Sequence, residues 1–174
     1  MKMKNLYILF IAFVIGAFAC TDTTKLDNEL EARSSAIDSL FIVEKGPFQF
    51  AIRLPKDLLR DNLPMLIYKE SAGKLMVSIG DGFLFEISQE IRDISELKKA
   101  METDAVLKST FTEQSEDELL YQVFLMDGSP VSWHYQCMIR STEMPYFATT
   151  DQTKVFNLDQ VKKMRQAIAS IKPL

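Results

Sequence analysis

One His and two Cys in 174 residues close off whole classes of chemistry. A single imidazole excludes the HExxH motif and any paired-His metal site. Two thiols beside it are too few soft ligands for a structural zinc site. Six Gly and six Pro exclude collagen-like and low-complexity architecture. Twenty basic against 24 acidic residues leave a formal net charge of −4, so the chain lacks the basic footprint that a phosphate backbone requires, and no nucleic acid is expected as a partner. No motif asks for a cofactor or a metal. What remains is a chain 47% hydrophobic and 25% charged, too apolar to be disordered and of a length that makes one domain.

The first apolar run is too short to span a bilayer. Leu6 to Ala19 is interrupted only by Gly16 and follows Lys2 and Lys4. About 14 residues suit the apolar part of an export signal, whereas a bilayer span needs about 20. The run closes on Ala17-Phe18-Ala19-Cys20. Residues 1–19 are therefore read as a signal peptide, and their loss takes the net charge to −6, because Lys2 and Lys4 are the only charges removed.

Two readings of the cut before Cys20 stay open. An ordinary A-x-A site would leave a free thiol. Alternatively, the segment resembles a bacterial lipoprotein signal, in which the Cys thiol is acylated before cleavage. It departs from the usual pattern, with Ala17 where Leu is preferred and bulky Phe18 where a small residue is usual. A residue as rare as Cys at the boundary favours lipidation of Cys20, and looser versions of the motif resemble those of small Bacteroidota lipoproteins, a likeness that implies no particular activity. Multiple acyl chains anchor stably, since each buried methylene contributes about 0.8 kcal/mol. The expected location is the bacterial cell envelope, with the membrane as one partner through the lipid.

Residues 20–40 read as a polar tether, or a weak helix with Leu26, Leu30, Ile37 and Leu40 on one side. No Gly/Ser-rich or Pro-rich linker follows, so the domain of 41–174 is expected close to its anchor. From Phe48 the period is two: Phe48, Phe50, Ile52 and Leu54 alternate with Gln49, Ala51 and Arg53, and Pro55 stops the run. Hairpins are expected across Ser71-Ala72-Gly73, at Gly80-Asp81-Gly82 and at Asp127-Gly128-Ser129-Pro130, with a short strand near Tyr146–Thr149. Asp93 with Glu96 forms a D-x-x-E start for a mid-chain helix through Ile94, Leu97, Met101 and Ala105. Asn157 with Gln160 starts the clearest helix, carrying Val161, Met164, Ile168 and Ile171 on one face. The pattern predicts an α+β fold: a curved antiparallel sheet of six or seven strands packed by a C-terminal helix and one mid-chain helix.

This order of elements resembles the PsbP/Mog1/DcrB-like superfamily, on the opening strand Phe48-Gln-Phe-Ala-Ile-Arg-Leu-Pro55 and the closing Met164-Arg-Gln-Ala-Ile-Ala-Ser-Ile171. The resemblance implies a fold and no catalytic residues, because that group serves several unrelated functions.

The search for chemistry yields few candidates. Alternation puts Val131, Trp133, Tyr135, Cys137 and Ile139 on one strand face and Ser132, His134 and Gln136 on the other, expected to face solvent. Ser132 and His134 could approach as nucleophile and base, but no G-x-S-x-G surrounds any Ser, so no catalytic residue is assigned. Cys137 reads as a small core hydrophobe. Gly80-Asp81-Gly82 opens like a phosphate loop but leads into a strand, so it reads as a turn. Glu113, Glu116, Asp117 and Glu118 read as a solvated acidic turn rather than a calcium loop. Asp81 to Glu118 holds eleven acids against four bases, and against it stands the basic face of the last helix, Lys162, Lys163 and Arg165. Those three residues are the candidate surface for an acidic partner protein. The expectation is a non-catalytic, lipid-anchored domain that binds an envelope protein or serves as an accessory subunit. A small apolar-ligand carrier is the alternative, and a hydrolase built on His134 a third.

Overall fold

The alternating run from Phe48 forms one strand of a small sheet, and its neighbour on the N-terminal side is a strand that the periodicity had not marked. The structure is a computed structural model that describes residues 39–141 and 144–174. Strand β1 (Ser39–Lys45) pairs antiparallel with β2 (Phe48–Leu54), placing Leu40 opposite Arg53 and Ile42 opposite Ala51. Leu40 therefore belongs to a strand rather than to a helical tether; Leu26, Leu30 and Ile37 lie outside the described residues. The short helix α1 (Lys56–Leu59) follows Pro55. Next come β3 (Met65–Lys69), β4 (Lys74–Ser78) and β5 (Leu84–Ser88), joined by the two hairpin turns expected.

Helix α2 (Ile94–Glu102) starts where Asp93 accepts hydrogen bonds from the Ser95 and Glu96 amides. It ends before Ala105. Strand β6 (Leu107–Gln114), also unmarked by its polar sequence, pairs with β7 (Glu118–Leu125), which pairs with β8 (Pro130–Ile139). After β9 (Tyr146–Thr150), helix α3 (Leu158–Ala169) opens on a reciprocal cap: Asn157 Oδ1 accepts the Gln160 amide at 2.9 Å and Gln160 Oε1 accepts the Asn157 amide at 2.8 Å. Such a box satisfies two amides that a helix start leaves without partners. The final strand β10 (Lys172–Pro173) joins β2.

These ten strands make two sheets rather than one. The smaller has the order β1-β2-β10, and the larger runs β3-β4-β5-β9-β8-β7-β6, antiparallel throughout. Strand β9 is inserted between two three-stranded meanders. The class is α+β, with the mid-chain and C-terminal helices where the sequence placed them.

Both faces of the large sheet are buried in part, against different layers. On one face lie Phe48, Phe50, Ile52 and Leu54 from the small sheet and Val161, Met164 and Ile168 from α3, packed on Leu75, Val77, Phe85, Ile87, Leu120 and Tyr135. On the other face α2 packs Ile94, with Leu97 and Met101, on Leu119, Tyr121, Val123 and Phe147. The neighbours Leu119 and Leu120 enter opposite cores, as a period of two demands. Fully burying a side chain of this size stabilises by about 1.5–3 kcal/mol. Residues 38–174 form one compact unit, and the strand pairings and both cores described above lie inside it. Among the described residues no helix is long and apolar enough to cross a membrane.

The β1–β2 turn depends on Gly46, whose φ of +56° is a left-handed conformation. A Cβ there would lie 2.5 Å from Cε1 of Tyr68, whose ring stands edge-on to Phe48. Gly46→Ala is expected to lower stability by more than about 1 kcal/mol, read as the urea midpoint. Combined with Tyr68→Ala the loss should be less than the sum of the single losses, because the clash is then gone.

Candidate functional site

The polar alternation of β8 leads inward, not to solvent. Ser132, His134 and Gln136 are only 4–7% exposed, because the segment after β9 folds across that face. The Trp133 amide donates to the Phe156 carbonyl at 2.9 Å, and the Phe156 amide donates to Ser132 Oγ at 2.9 Å. The His134 ring lies between Tyr121 and Phe156, with centroids at 5.8 and 6.2 Å. Its Nδ1 is 3.2 Å from Thr150 Oγ1, which also accepts the Tyr135 amide.

A chain of hydrogen bonds continues across β7. Gln136 Nε2 donates to Tyr121 Oη at 3.1 Å, Tyr121 donates to Gln152 Oε1 at 3.0 Å, and Gln152 Nε2 donates to the Thr150 carbonyl at 2.9 Å. Gln136 Oε1 is buried without a hydrogen-bond partner.

This cluster does not assemble a nucleophile and a base. Ser132 Oγ is 3.2 Å from the Trp133 carbonyl and 3.4 Å from that of Lys154, and bonds main chain rather than His134. Burial pushes the His134 pKa down to about 4, against a smaller upward pull from Asp151, so the imidazole is neutral at pH 7. Burial also pushes the Cys137 thiol up to about 12, the inert state of a core thiol. Among the described residues no group of three or more His, Cys, Asp and Glu could hold a metal ion.

The acidic segment is the expected exposed turn, between β6 and β7, and two of its carboxylates also clamp α3. Arg165 of α3 donates from Nη1 to Glu113 Oε2 at 2.5 Å and from Nη2 to Glu118 Oε1 at 2.7 Å. Glu118 Oε2 accepts the Tyr135 hydroxyl at 2.7 Å, and the guanidinium stands 5.7 Å above the Tyr135 ring. Burial works against the Arg165 cation, but Glu118 and Glu113 outweigh it and raise its pKa. Asp117 holds Arg140 through both carboxylate oxygens.

The basic residues expected to meet a partner thus divide. Arg165 is engaged with Glu113 and Glu118, and Lys163 pairs with Asp57, whose carboxyl that lysine holds below its ordinary pKa. Lys162 is exposed and has no salt bridge among the described residues. The Gly80-Asp81-Gly82 segment is the expected turn, closed by the Ile79 amide donating to the Phe83 carbonyl at 2.9 Å. Cys20 lies outside the described residues.

Sequence reasoning missed an open concavity at the start of α2. A cleft of about 770 Å³ lies between the start of α2 and the adjoining ends of β6, β7 and β8. Ile94 and Leu119 are its buried floor, Met138 and Pro145 are half-buried, and Ile91, 82% exposed, stands at the rim. Around it stand the ion pairs Arg92–Glu90 and Arg140–Asp117. Apolar Ile91, two residues before the Asp93 helix cap, was the available signal, but the cleft needs the end of β8 beside α2, a juxtaposition distant in sequence.

No protein-family model, no curated protein and no solved structure matches this chain.

The buried imidazole makes stability depend on pH. The folded state holds His134 at about 4, while the unfolded chain takes up its proton near pH 6.5. Between those values the unfolded state binds more protons, so stability falls as pH falls. The loss from pH 7 to pH 4 is expected to be about 2–3 kcal/mol by urea unfolding. His134→Gln should flatten that part of the profile.

Proposed function

We propose that this chain is a lipid-anchored, non-catalytic domain of the cell envelope that docks a partner protein in the cleft at the start of α2. The observation that carries the docking role is the cleft itself: an apolar floor on the open surface, an exposed Ile91 at its edge and charges of both signs around it. That combination of apolar centre and polar rim is the common anatomy of protein interfaces. His134 and Ser132, the candidate base and nucleophile, are buried in the interior. The anchor rests on the residues: the basic start, the short apolar run and Cys20 directly after Ala19.

A carrier of a small apolar ligand is the second reading, because a cleft of this size falls in the range of about 300–1,000 Å³ that such ligands occupy. Its openness at the surface favours a protein.

Anchoring and docking have separate tests. Cys20→Ala is expected to move the protein from the membrane to the soluble fraction and to abolish incorporation of labelled fatty acid; unchanged membrane association contradicts the anchor. A photo-crosslinking residue at Ile91 is expected to give one discrete protein adduct in cells, and none at exposed Val155. Equal adducts at both positions contradict docking at the cleft, and a co-purifying small molecule lost on Leu119→Asp supports the carrier.

A further inference from the structure

We infer that the outer face of the small sheet rests on an anionic bilayer surface and so orients the anchored domain, an inference that rests on the acyl anchor proposed at Cys20. The register defines this face. Residues directly opposite in an antiparallel pair share a side, so Leu40 stands with Arg53, Ile42 with Ala51 and Lys172, and Glu44 with Gln49. Leu174 reaches the same end, where its amide donates to the Gln49 carbonyl at 3.2 Å.

The inner positions Val43, Phe48, Phe50, Ile52 and Leu54 are buried, and among the described residues no layer covers the outer face. On it Leu40, Ile42 and Leu174 are 61, 55 and 58% exposed. Three exposed apolar side chains with two cations, Arg53 and Lys172, make the combination that binds an interface of acyl chains and anionic headgroups. Among the described residues of the register on this face, Glu44 is the opposing side-chain charge, and it sits at one end.

Two further observations favour a membrane over another occupant. Strand β1 follows the proposed tether, and the nineteen residue-to-residue steps from Cys20 to Ser39 reach at most about 65 Å even when extended. A tether of that length keeps the domain near the bilayer but does not orient it, so orientation falls to the domain's own surface. Charge supplies the second. Residues 89–106, which contain α2 and pack on the other side of the large sheet, hold five acids against three bases. A bilayer of negative charge attracts the Arg53–Lys172 face and repels that acidic layer. The cleft at α2 lies on the repelled side, turned away from the lipid and toward the partner it is proposed to dock.

The test attaches the protein chemically, so its outcome does not depend on whether the cell acylates Cys20, which the Cys20→Ala fractionation decides separately. The chain beginning at Cys20 is coupled through Sγ to a maleimide lipid in phosphatidylcholine vesicles with or without phosphatidylglycerol; the buried Cys137 does not compete. Tryptophan is introduced as Ile42→Trp or, on the far layer, as Val106→Trp, with native Trp133 kept and its signal subtracted. With brominated acyl chains and phosphatidylglycerol, Ile42→Trp is expected to lose about half its emission, and Val106→Trp none. Arg53→Gln with Lys172→Gln is expected to weaken this association by about fivefold per cation. Equal quenching at the two positions, none at Ile42→Trp, or quenching indifferent to lipid charge overturns the inference. So does sedimentation of the uncoupled chain as a dimer that Leu40→Ser dissociates, which assigns the face to a second copy.

Discussion

The insertion of β9 between two meanders is the constraint from which the rest of the architecture follows. Residues 65–88 and 107–139 each build three strands by local pairing, and each alone would be a small sheet with open edges. Strand β9 pairs with β5 through Phe85–Thr150 and with β8 through Met138–Phe147, making one sheet of seven strands. A sheet of that width cannot leave both apolar faces wet. One is covered by α3 and the small sheet, the other by α2 over β6 and β7. Because β8 lies beside β9, both of its faces become interior, and its alternate polar residues must find partners inside. The segment after β9 supplies them, with Phe156 bonding Ser132, and Gln152 bonding Tyr121. A buried polar group without partners is expensive, so the loop and the strand depend on each other.

The same constraint explains which parts of the structure were legible in the sequence. Strand β2, the three hairpin turns and the α3 cap follow from patterns of a few residues: a period of two, glycines in turns, Asn157 three places before Gln160. Cys137 was readable as core from its place among Trp133, Tyr135 and Ile139. Strands β1 and β6 were not. Leu-Phe-Ile-Val in β1 directly follows polar sequence that suited a tether, and Leu107 to Gln114 gives only a weak alternation, because β6 is an edge with one half-covered face. Val131 was expected among the core residues, but a bulge where Val123 faces Ser132 and Phe124 faces Pro130 leaves it unpaired and 36% exposed.

The site was less legible than the fold for a related reason. Alternation assigns residues to two faces but cannot tell that both are covered, so His134 was expected in solvent and is instead between two aromatic rings. Glu113, Glu118 and Arg165 are some fifty residues apart, and only the packing of α3 beside β6 and β7 turns an acidic run and a basic stripe into one clamp. The groups that looked most like chemistry serve the interior and the layer contacts. The surfaces proposed for recognition are an apolar cleft beside α2 and an apolar, cationic face on the small sheet, on opposite sides of the stacked layers.

The central claim is that function lies on those surfaces while His134 serves packing, and one comparison tests it most directly. The Ile91 crosslinking yield is measured in cells for the unaltered interior, for His134→Gln and for Leu119→Asp, with the folded fraction of each checked by urea unfolding at pH 7. The account predicts that His134→Gln retains the adduct in proportion to its folded fraction and that Leu119→Asp, which puts a charge in the cleft floor, removes it. An adduct lost in His134→Gln while the domain stays folded, or undiminished in Leu119→Asp, would contradict the account.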